Sequence, residues 1–384
     1  MAPGSPVVSV NPSVLKWARE SSGWTIQEIS KKLKVDPHAL QKWESGEQPT
    51  TLAKLEGLAN FYKRPLAAFF LPRPPEEPPR PADFRSLPER RGQFTRKTVL
   101  VIRRATRLQS VAGELTENLG RDNRALTGRV TLRENPEQIA LQQRNELGVT
   151  VQEQVPWRDE YQAFEGWRNA VQAKNIYVFS FPMPIDDARG FSLSEKEPLA
   201  IVVNSSDTPR ARIFTLFHEY GHLLLRESGI CIPRDQRRKL EKNFDVEGWC
   251  NRFAAALLLP ESALKEQLAH YDGNRPEPLS EFLSQAARKY KVSQQAVLRR
   301  LRTLKLITEA RFWREVKKLE SLTLLRRRGG RMLPPQSCIR QNGRLFVSLV
   351  MESKERELIT YRDVSDYLSL DLKYLDKVRN LLTG

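Results

Sequence analysis

The chain has 384 residues, of which 40% are hydrophobic and 28% are charged, so two or three domains with sizeable cores are expected at about 150 residues per domain. Its net charge of +17 favours a polyanionic partner such as nucleic acid, although a merely basic protein is the alternative. Three widely spaced cysteines suggest a reducing compartment and no thiolate metal site. No apolar run is long enough for a membrane span and no signal-peptide core is present, which predicts a cytoplasmic protein without a membrane partner.

The first segment, residues 9–71, is predicted to form short helices joined by tight turns. Thr25 and Glu28 have the spacing of a capping box that opens one helix. Pro37 opens the next helix, and Gly46 ends it. Two short helices joined by a turn of three to four residues are the helix-turn-helix form, so we expect an N-terminal helix-turn-helix bundle.

The string Ala-Leu-Gln-Lys-Trp-Glu-Ser-Gly at residues 39–46 resembles the XRE family of phage-repressor-like domains. By this resemblance the helix from Pro37 is the recognition helix and double-stranded DNA is the partner. A helical module that contacts only proteins is the alternative. The side chains expected at the DNA are Gln27 on a phosphate and His38, Gln41 and Lys42 in the major groove.

The middle of the chain changes in composition from a spacer to a mixed pattern of helices and strands. Residues 72–96 are rich in proline and charge, which is typical of a semi-rigid linker. Apolar residues then recur at helical spacing in a connector over 97–135. Helices are expected near 139–147 and 160–173, and strands at 177–181, 190–193 and 199–203.

The most specific motif is His218-Glu219-Tyr220-Gly221-His222, which lies in a long apolar run. On a helix, His218 and His222 share one face, so both can direct a ring nitrogen at one metal ion. Glu219 points about 100° away and is better placed to take a proton from a water that the metal activates. A chance pair of core histidines is the alternative, but it gives Glu219 no purpose.

A hydrolytic metal site needs a third protein ligand, and Glu247 is the best candidate. It begins a strongly apolar helix that Pro260 ends, and a carboxylate in that position needs a partner. Asp245 and Glu241 are competitors, and an exposed acid that favours the helix dipole is the alternative. We expect one Zn²⁺ per chain, with Mn²⁺ as the other candidate.

The pattern H-E-x-G-H-L-L, followed by E-x-x-x-N-R-F-A-A-x-L-L-x-P, resembles the ImmA/IrrE family of zinc metallopeptidases, and the likeness extends over about 136–306. The resemblance implies an α+β zincin-like (gluzincin) core at 136–276 in a multidomain, mainly α chain. It places Glu247 at the third ligand and implies endopeptidase activity. Several members of the family cut helix-turn-helix repressors and thereby switch on stress or mobile-element genes.

Two C-terminal segments are less informative. Residues 277–325 resemble a second helix-turn-helix, whose arginines at 299, 300 and 302 form either a solvated face, which we prefer, or a nucleic-acid contact. The segment 326–384 begins with a basic loop at 326–331 and is predicted to be a small helical unit, to which the sequence assigns no function.

Two functions follow from these patterns. The first is a zinc endopeptidase that cleaves a DNA-binding repressor and carries its own DNA-binding domain, with single-stranded DNA as an alternative signal and a dimer as the expected state. The second is a non-cleaving XRE-type transcription regulator or antitoxin that uses the peptidase fold for contacts. Glu219 favours the enzyme, because a regulator has no physical reason to keep it.

Overall fold

The computed structural model describes residues 5–75, 94–124, 130–226, 230–231, 244–269, 279–321 and 332–383. These residues divide into two compact units, the first made of 5–75 and 94–104 and the second of the described residues from 105 onward. The linker predicted at 72–96 lies mostly outside the described residues. Within the described ranges, no helix is both long and apolar enough to cross a membrane.

The first unit contains the predicted short helices. Thr25 and Glu28 form the expected reciprocal capping box, and Asp36 accepts a hydrogen bond from the backbone N–H of His38. Gly46 ends the third helix with φ of 84°, a left-handed conformation that glycine adopts without strain. The elements are β1 (Val7–Val8), α1 (Pro12–Ser21), α2 (Ile26–Leu33), α3 (Pro37–Ser45), β2 (Thr50–Thr51), α4 (Leu52–Tyr62) and a 3-10 helix (Leu66–Phe70).

A small apolar core holds the first unit together. Ile29 of α2 and Leu40 of α3 are both buried in it, so each helix of the pair is fixed by packing as well as by its caps. Arg19 of α1 binds both carboxylate oxygens of Glu44 in α3, at 2.8 and 3.0 Å. The beginning of α5 (Arg96–Asn118) also contributes, because Arg103 donates to Ser22 and to the backbone of this unit.

The second unit is built on a four-stranded sheet in which β5 (Ala200–Asn204) is central. It pairs in parallel with β3 (Tyr177–Phe181) and antiparallel with β4 (Gly190–Leu193). The order is β3-β5-β4-β6, where β6 is the short strand Ile230–Cys231. The three predicted strands are therefore confirmed, and β4, which lies between the other two in the chain, lies to one side of β5 in the sheet.

Helices account for most of the second unit. The helices predicted near 139–147 and 160–173 both form, and each ends within a residue or two of its expected C-terminal bound. The helices are α6 (Pro136–Glu146), α7 (Val151–Gln154), α8 (Glu160–Gln172), α9 (Pro209–Leu224), α10 (Phe244–Leu258), α11 (Glu261–Ala269), α12 (Leu279–Tyr290), α13 (Gln294–Thr303), α14 (Glu309–Ser321), α15 (Pro334–Asn342), α16 (Arg344–Glu355), α17 (Tyr361–Leu368) and α18 (Leu375–Thr383), with a 3-10 turn at Leu372–Tyr374.

One large hydrophobic core lies on the face of the sheet that presents Val178, Ile201 and Val203. Helices α8, α9 and α10 pack there, and α12, α13 and α14 contribute to the same core. This core therefore runs across the predicted boundary at 276/277. The domain bounds themselves stay predictions, but residues 279–321, the described part of the segment 277–325, contribute to this larger core.

The C-terminal helices cover the opposite face and one edge of the sheet. Phe346 of α16 packs edge-on against Tyr177 and Phe179, at centroid distances of 6.2 and 5.6 Å. Arg168 of α8 is fully buried and donates both to the carbonyl of Val178 in β3 and, at 2.7 Å, to the carbonyl of Arg340 in α15. The unit for which the sequence offers no role thus forms part of the scaffold around β3.

Candidate functional site

Helix α9 carries both motif histidines in the core of the second unit. Thr208 caps its start by accepting a hydrogen bond from the N–H of Ala211, and Pro209 occupies the first position, where a missing N–H costs nothing. His218 and His222 follow one turn apart, and both are buried. Both imidazole rings therefore lie on the same face of α9 and point the same way, as the spacing predicts.

Three candidate ligand side chains meet at the start of α10. The Nε2 atoms of His218 and His222 lie 3.2 Å apart. The two carboxylate oxygens of Glu247 lie 3.3 Å from the Nε2 atom of His218 and 3.2 Å from that of His222. Ligands on a tetrahedral zinc, at bond lengths of about 2.0–2.1 Å, are separated by about 3.3 Å. The triangle thus has the size and the donor set of a metal site, and in the described part of the chain these three residues form a group able to hold an ion.

The charge state of Glu247 suits a ligand. Burial alone would raise the pKa of this carboxyl group, but the charges and hydrogen bonds of His218 and His222 lower it well below its usual value. Burial would likewise lower the pKa of His222, yet neighbouring Cys250, Glu247 and Glu219 raise it well above its usual value in the metal-free protein. A metal ion would replace that proton, since only neutral imidazole ligates.

Gly221 explains how two helices approach closely enough to complete the triangle. A Cβ atom at this position would lie 3.2 Å from Cys250 Sγ and 3.3 Å from Phe253 of α10. A larger residue would require these neighbours on α10, the helix that carries Glu247, to shift by a few tenths of an ångström. The glycine inside the motif therefore allows α9 and α10 to pack closely, a role that the sequence did not predict.

Glu219 lies beside the triangle and is fully buried on the side of α9 that faces β4. Gly190 of β4 permits this approach, because a Cβ there would lie 2.5 Å from Thr215 Cγ2 and 3.6 Å from Glu219 Cγ. The other side of β4 pairs with β6 through Gly190 and Phe191. At Gly190 and Phe191, β4 is therefore paired on both sides and is not an edge of the sheet.

The far end of α10 is anchored by side chains from three other helices. Its last two carbonyl groups and that of Leu259, the residue after the helix, accept hydrogen bonds from buried side chains. This fixes the helix that carries Glu247. The bonds run from Arg144 to Leu257 at 2.6 Å, from Gln154 to Leu258 at 3.2 Å and from Arg300 to Leu259 at 2.9 Å.

Two family models match the chain over separate stretches. Residues 171–302 match the peptidase family described as the IrrE N-terminal-like domain, and the match contains both α9 and α10. Residues 15–69 match a helix-turn-helix family. The chain joins a helix-turn-helix domain to an IrrE-like peptidase domain. A search among curated proteins found no match.

Two competing ligands and one predicted basic loop cannot be compared with Glu247 and its surroundings. Glu241 and the loop at 326–331 lie outside the described residues, as does the side chain of Asp245. Glu247 therefore remains the predicted third ligand, and the geometry around it is consistent with that role.

In the helix-turn-helix domain, the four predicted DNA-contacting side chains are all exposed. Gln27 lies at the start of α2, and His38, Gln41 and Lys42 lie on α3. Their contacts with DNA stay predictions. The ion pair between Arg19 and Glu44 lies on the inner side of α3, and the side of α3 that carries the predicted DNA contacts is exposed to solvent.

Arg300 corrects one prediction. We expected it on a solvated or nucleic-acid-binding face, but it is fully buried and forms an ion pair with Glu137 of α6. It cannot contact nucleic acid without leaving the core. Arg302 is more exposed, where it binds Glu309 at 2.6 Å and lies over the Phe312 ring, and Arg299 is half-buried.

Proposed function

We propose that this protein is a zinc-dependent endopeptidase that cleaves a DNA-binding repressor and so switches on stress, mobile-element or defence genes. The observation that carries the proposal is the triangle of His218, His222 and Glu247 with Glu219 buried beside it. A regulator that never cuts would need neither the triangle nor an acid next to it.

The residues divide the chemistry between them. The metal, when bound, polarises the scissile carbonyl and lowers the pKa of the attacking water. Two histidines and Glu247 would hold it, leaving one side open for water and substrate. Glu219 would accept the proton of the attacking water and pass it to the leaving amine.

The helix-turn-helix domain favours a DNA-bound substrate. A peptidase that is itself held at DNA meets its neighbours there at high effective concentration, which favours a repressor over unrelated proteins. The cut segment must lie extended in the site, so a helical segment of the repressor would have to open locally first.

The test combines metal analysis with cleavage. The purified, metal-loaded protein is mixed with repressors encoded beside its gene, with and without single- or double-stranded DNA. We expect discrete fragments from the native protein and none from Glu219→Gln, which should still contain one metal ion per chain. Because general acid–base groups typically contribute about 10²–10⁴-fold, residual cleavage by this variant should be hard to detect.

Other outcomes would change the proposal. Degradation of unfolded casein without preference for a repressor would contradict the specific switch. Cleavage by Glu219→Gln at the native rate would remove Glu219 from the mechanism. An absence of any cleavage in the presence of bound metal would favour the non-cleaving regulator or antitoxin.

A further inference from the structure

A second buried charge lies on α9, two turns before the metal ligands. Arg212 is only 3% exposed, and its guanidinium lies over the ring of Phe164 in α8, 5.0 Å from the ring centre. Its Nε atom is buried without a hydrogen-bond partner, and among the described residues its side chain makes neither a hydrogen bond nor an ion pair. A guanidinium has five N–H donors, and burying such a charge unpaired is costly. The buried Nε atom therefore lacks an acceptor.

The acids nearest to Arg212 are already engaged. Asp207 binds Arg189 at 2.7 Å, and Glu165 lies 3.7 Å from Arg168. Both carboxylates influence Arg212 through their charge without pairing with it. Each acid is thus matched by another arginine, and Arg212 is left as a surplus cation.

Arg340 adds a second surplus cation on the same side of α8, because its backbone carbonyl accepts from Arg168, one turn after the Phe164 that Arg212 covers. This half-buried residue of α15 donates to Met332 Sδ at 3.2 Å, a weak acceptor, and has no acidic partner in the ranges that the structure describes. Burial, and then the charge of Arg340, lowers the pKa of Arg212 to about 10, so Arg212 is still charged at neutral pH. Two like charges near each other, one of them buried, create a positive potential that water offsets poorly.

We propose that Arg212 and Arg340 bind a phosphate-class oxyanion between α8, α9 and α15. A phosphate monoester carries a charge of about −1.5 to −2 at pH 7, which matches the two surplus cations. Guanidinium groups bind phosphate oxygens with paired, charge-assisted hydrogen bonds. Free phosphate and a small organic phosphate share this chemistry.

Such a ligand would connect parts of the second unit that serve different purposes. Arg212 lies on the helix that carries His218 and His222, and Arg340 lies on a C-terminal helix that covers β3. An anion held by both would tie the C-terminal helices to α9. The proposal concerns binding and does not depend on whether the protein cleaves a repressor.

The experiment measures phosphate binding to the full-length, metal-loaded protein by calorimetry and by thermal unfolding. Inorganic phosphate is titrated at constant ionic strength, with chloride as the blank and adenosine monophosphate as the organic arm. The variants are Arg340→Ala and Arg212→Leu. The matched control is Arg158→Ala, which also removes one charge but whose side chain is 84% exposed.

We expect phosphate to raise the unfolding temperature of the native protein and of Arg158→Ala. Arg340→Ala should bind phosphate about tenfold more weakly or worse. Tighter binding of adenosine monophosphate would identify an organic phosphate as the ligand, and equal or weaker binding would identify free phosphate. If Arg212→Leu does not fold, Arg340→Ala alone decides.

Two results would overturn the proposal. One is no effect of phosphate beyond that of chloride. The other is an equal effect on the native protein and Arg340→Ala, because that variant keeps the metal ligands and the bound anion would then lie elsewhere.

Discussion

The chain contains two pairs of short helices with the same local design and opposite surroundings. In the pair α2–α3, the second helix exposes His38, Gln41 and Lys42. In the pair α12–α13, the second helix is capped just as well by Ser293, but it turns Arg300 into the core of the IrrE-like domain. A helix-turn-helix pattern therefore predicts a local fold, whereas its use depends on what packs against the second helix.

The largest expected difference between the two pairs appears when the metal is removed. The pair α12–α13 shares a hydrophobic core with α9 and α10, and a ligand that binds only the folded state stabilises it by about 4 kcal/mol at a thousandfold excess over Kd. Chelation, or Glu247→Ala, should therefore increase hydrogen exchange in α9, α10 and α13. The helices α2 and α3 should not change, and mass spectrometry of peptides resolves the two regions. Full metal occupancy in Glu247→Ala would exclude Glu247 as a ligand.

Arg300→Met should show the second largest effect, on stability alone. The change leaves the carbonyl of Leu259 and the carboxylate of Glu137 without their partner. Because Glu137 is partly exposed, we expect a loss of about 2–3 kcal/mol, below the range for a fully buried pair. The loss in the free energy of unfolding is measured by urea denaturation, with tryptophan fluorescence as the signal. A loss no larger than that of Arg302→Met would contradict the core role of Arg300.

Gln41→Ala tests the exposed pair. The side chain lies on the outer side of α3, so the variant should fold as stably as the native protein. We expect it to lose about 1–3 kcal/mol of binding to a duplex covering the protein's own promoter region, measured by fluorescence anisotropy. Gln48→Ala is the matched control, since Gln48 is also exposed but lies beyond α3. If the native protein shows no salt-dependent binding to any duplex, the domain is a protein-contact module.

Arg302→Ala should have the smallest effect. The residue pairs with Glu309 at the surface and lies over Phe312, contacts that together contribute about 1 kcal/mol or less. We expect unchanged affinity for duplex DNA, in keeping with a solvated face. A weaker affinity together with a shallower dependence on salt would instead identify Arg302 as a phosphate contact.

Much of the local structure could be predicted because its signals are local. Thr25 and Asp36 cap helices through neighbours two or three residues away, and the runs that form β3 and β5 are rich in aromatic and β-branched residues. The spacing of His218 and His222 likewise determines their common face. Glu247 was the best candidate from its place at the start of an apolar helix, but the resemblance was needed to prefer it firmly over Asp245 and Glu241, because its approach depends on how α9 packs on α10.

Other features depend on contacts between distant parts of the chain. Arg168 and Arg340 are 172 residues apart, so no local rule joins the C-terminal helices to β3. The burial of Arg300 likewise has no clear local signal. At 100° per residue it lies about 60° from Val297 and borders the apolar stripe of α13, but Arg302 borders the other edge of that stripe, about 40° from Leu298, and only Arg299 lies opposite.

The anchoring of α10 has a consequence for how the protein can be shortened. A fragment that ends at residue 276 would contain the whole H-E-x-x-H motif and Glu247, yet it would lack Arg300 and leave the carbonyl of Leu259 without its donor. A fragment that ends before α15 would also lose the backbone carbonyl that Arg168 binds. The smallest autonomously folding fragment with the candidate metal site is therefore expected to include the C-terminal helices and also the part of α5 from residue 105, whose Gln109 donates to the carbonyls of Leu193 and Pro198, although none of these segments supplies a ligand.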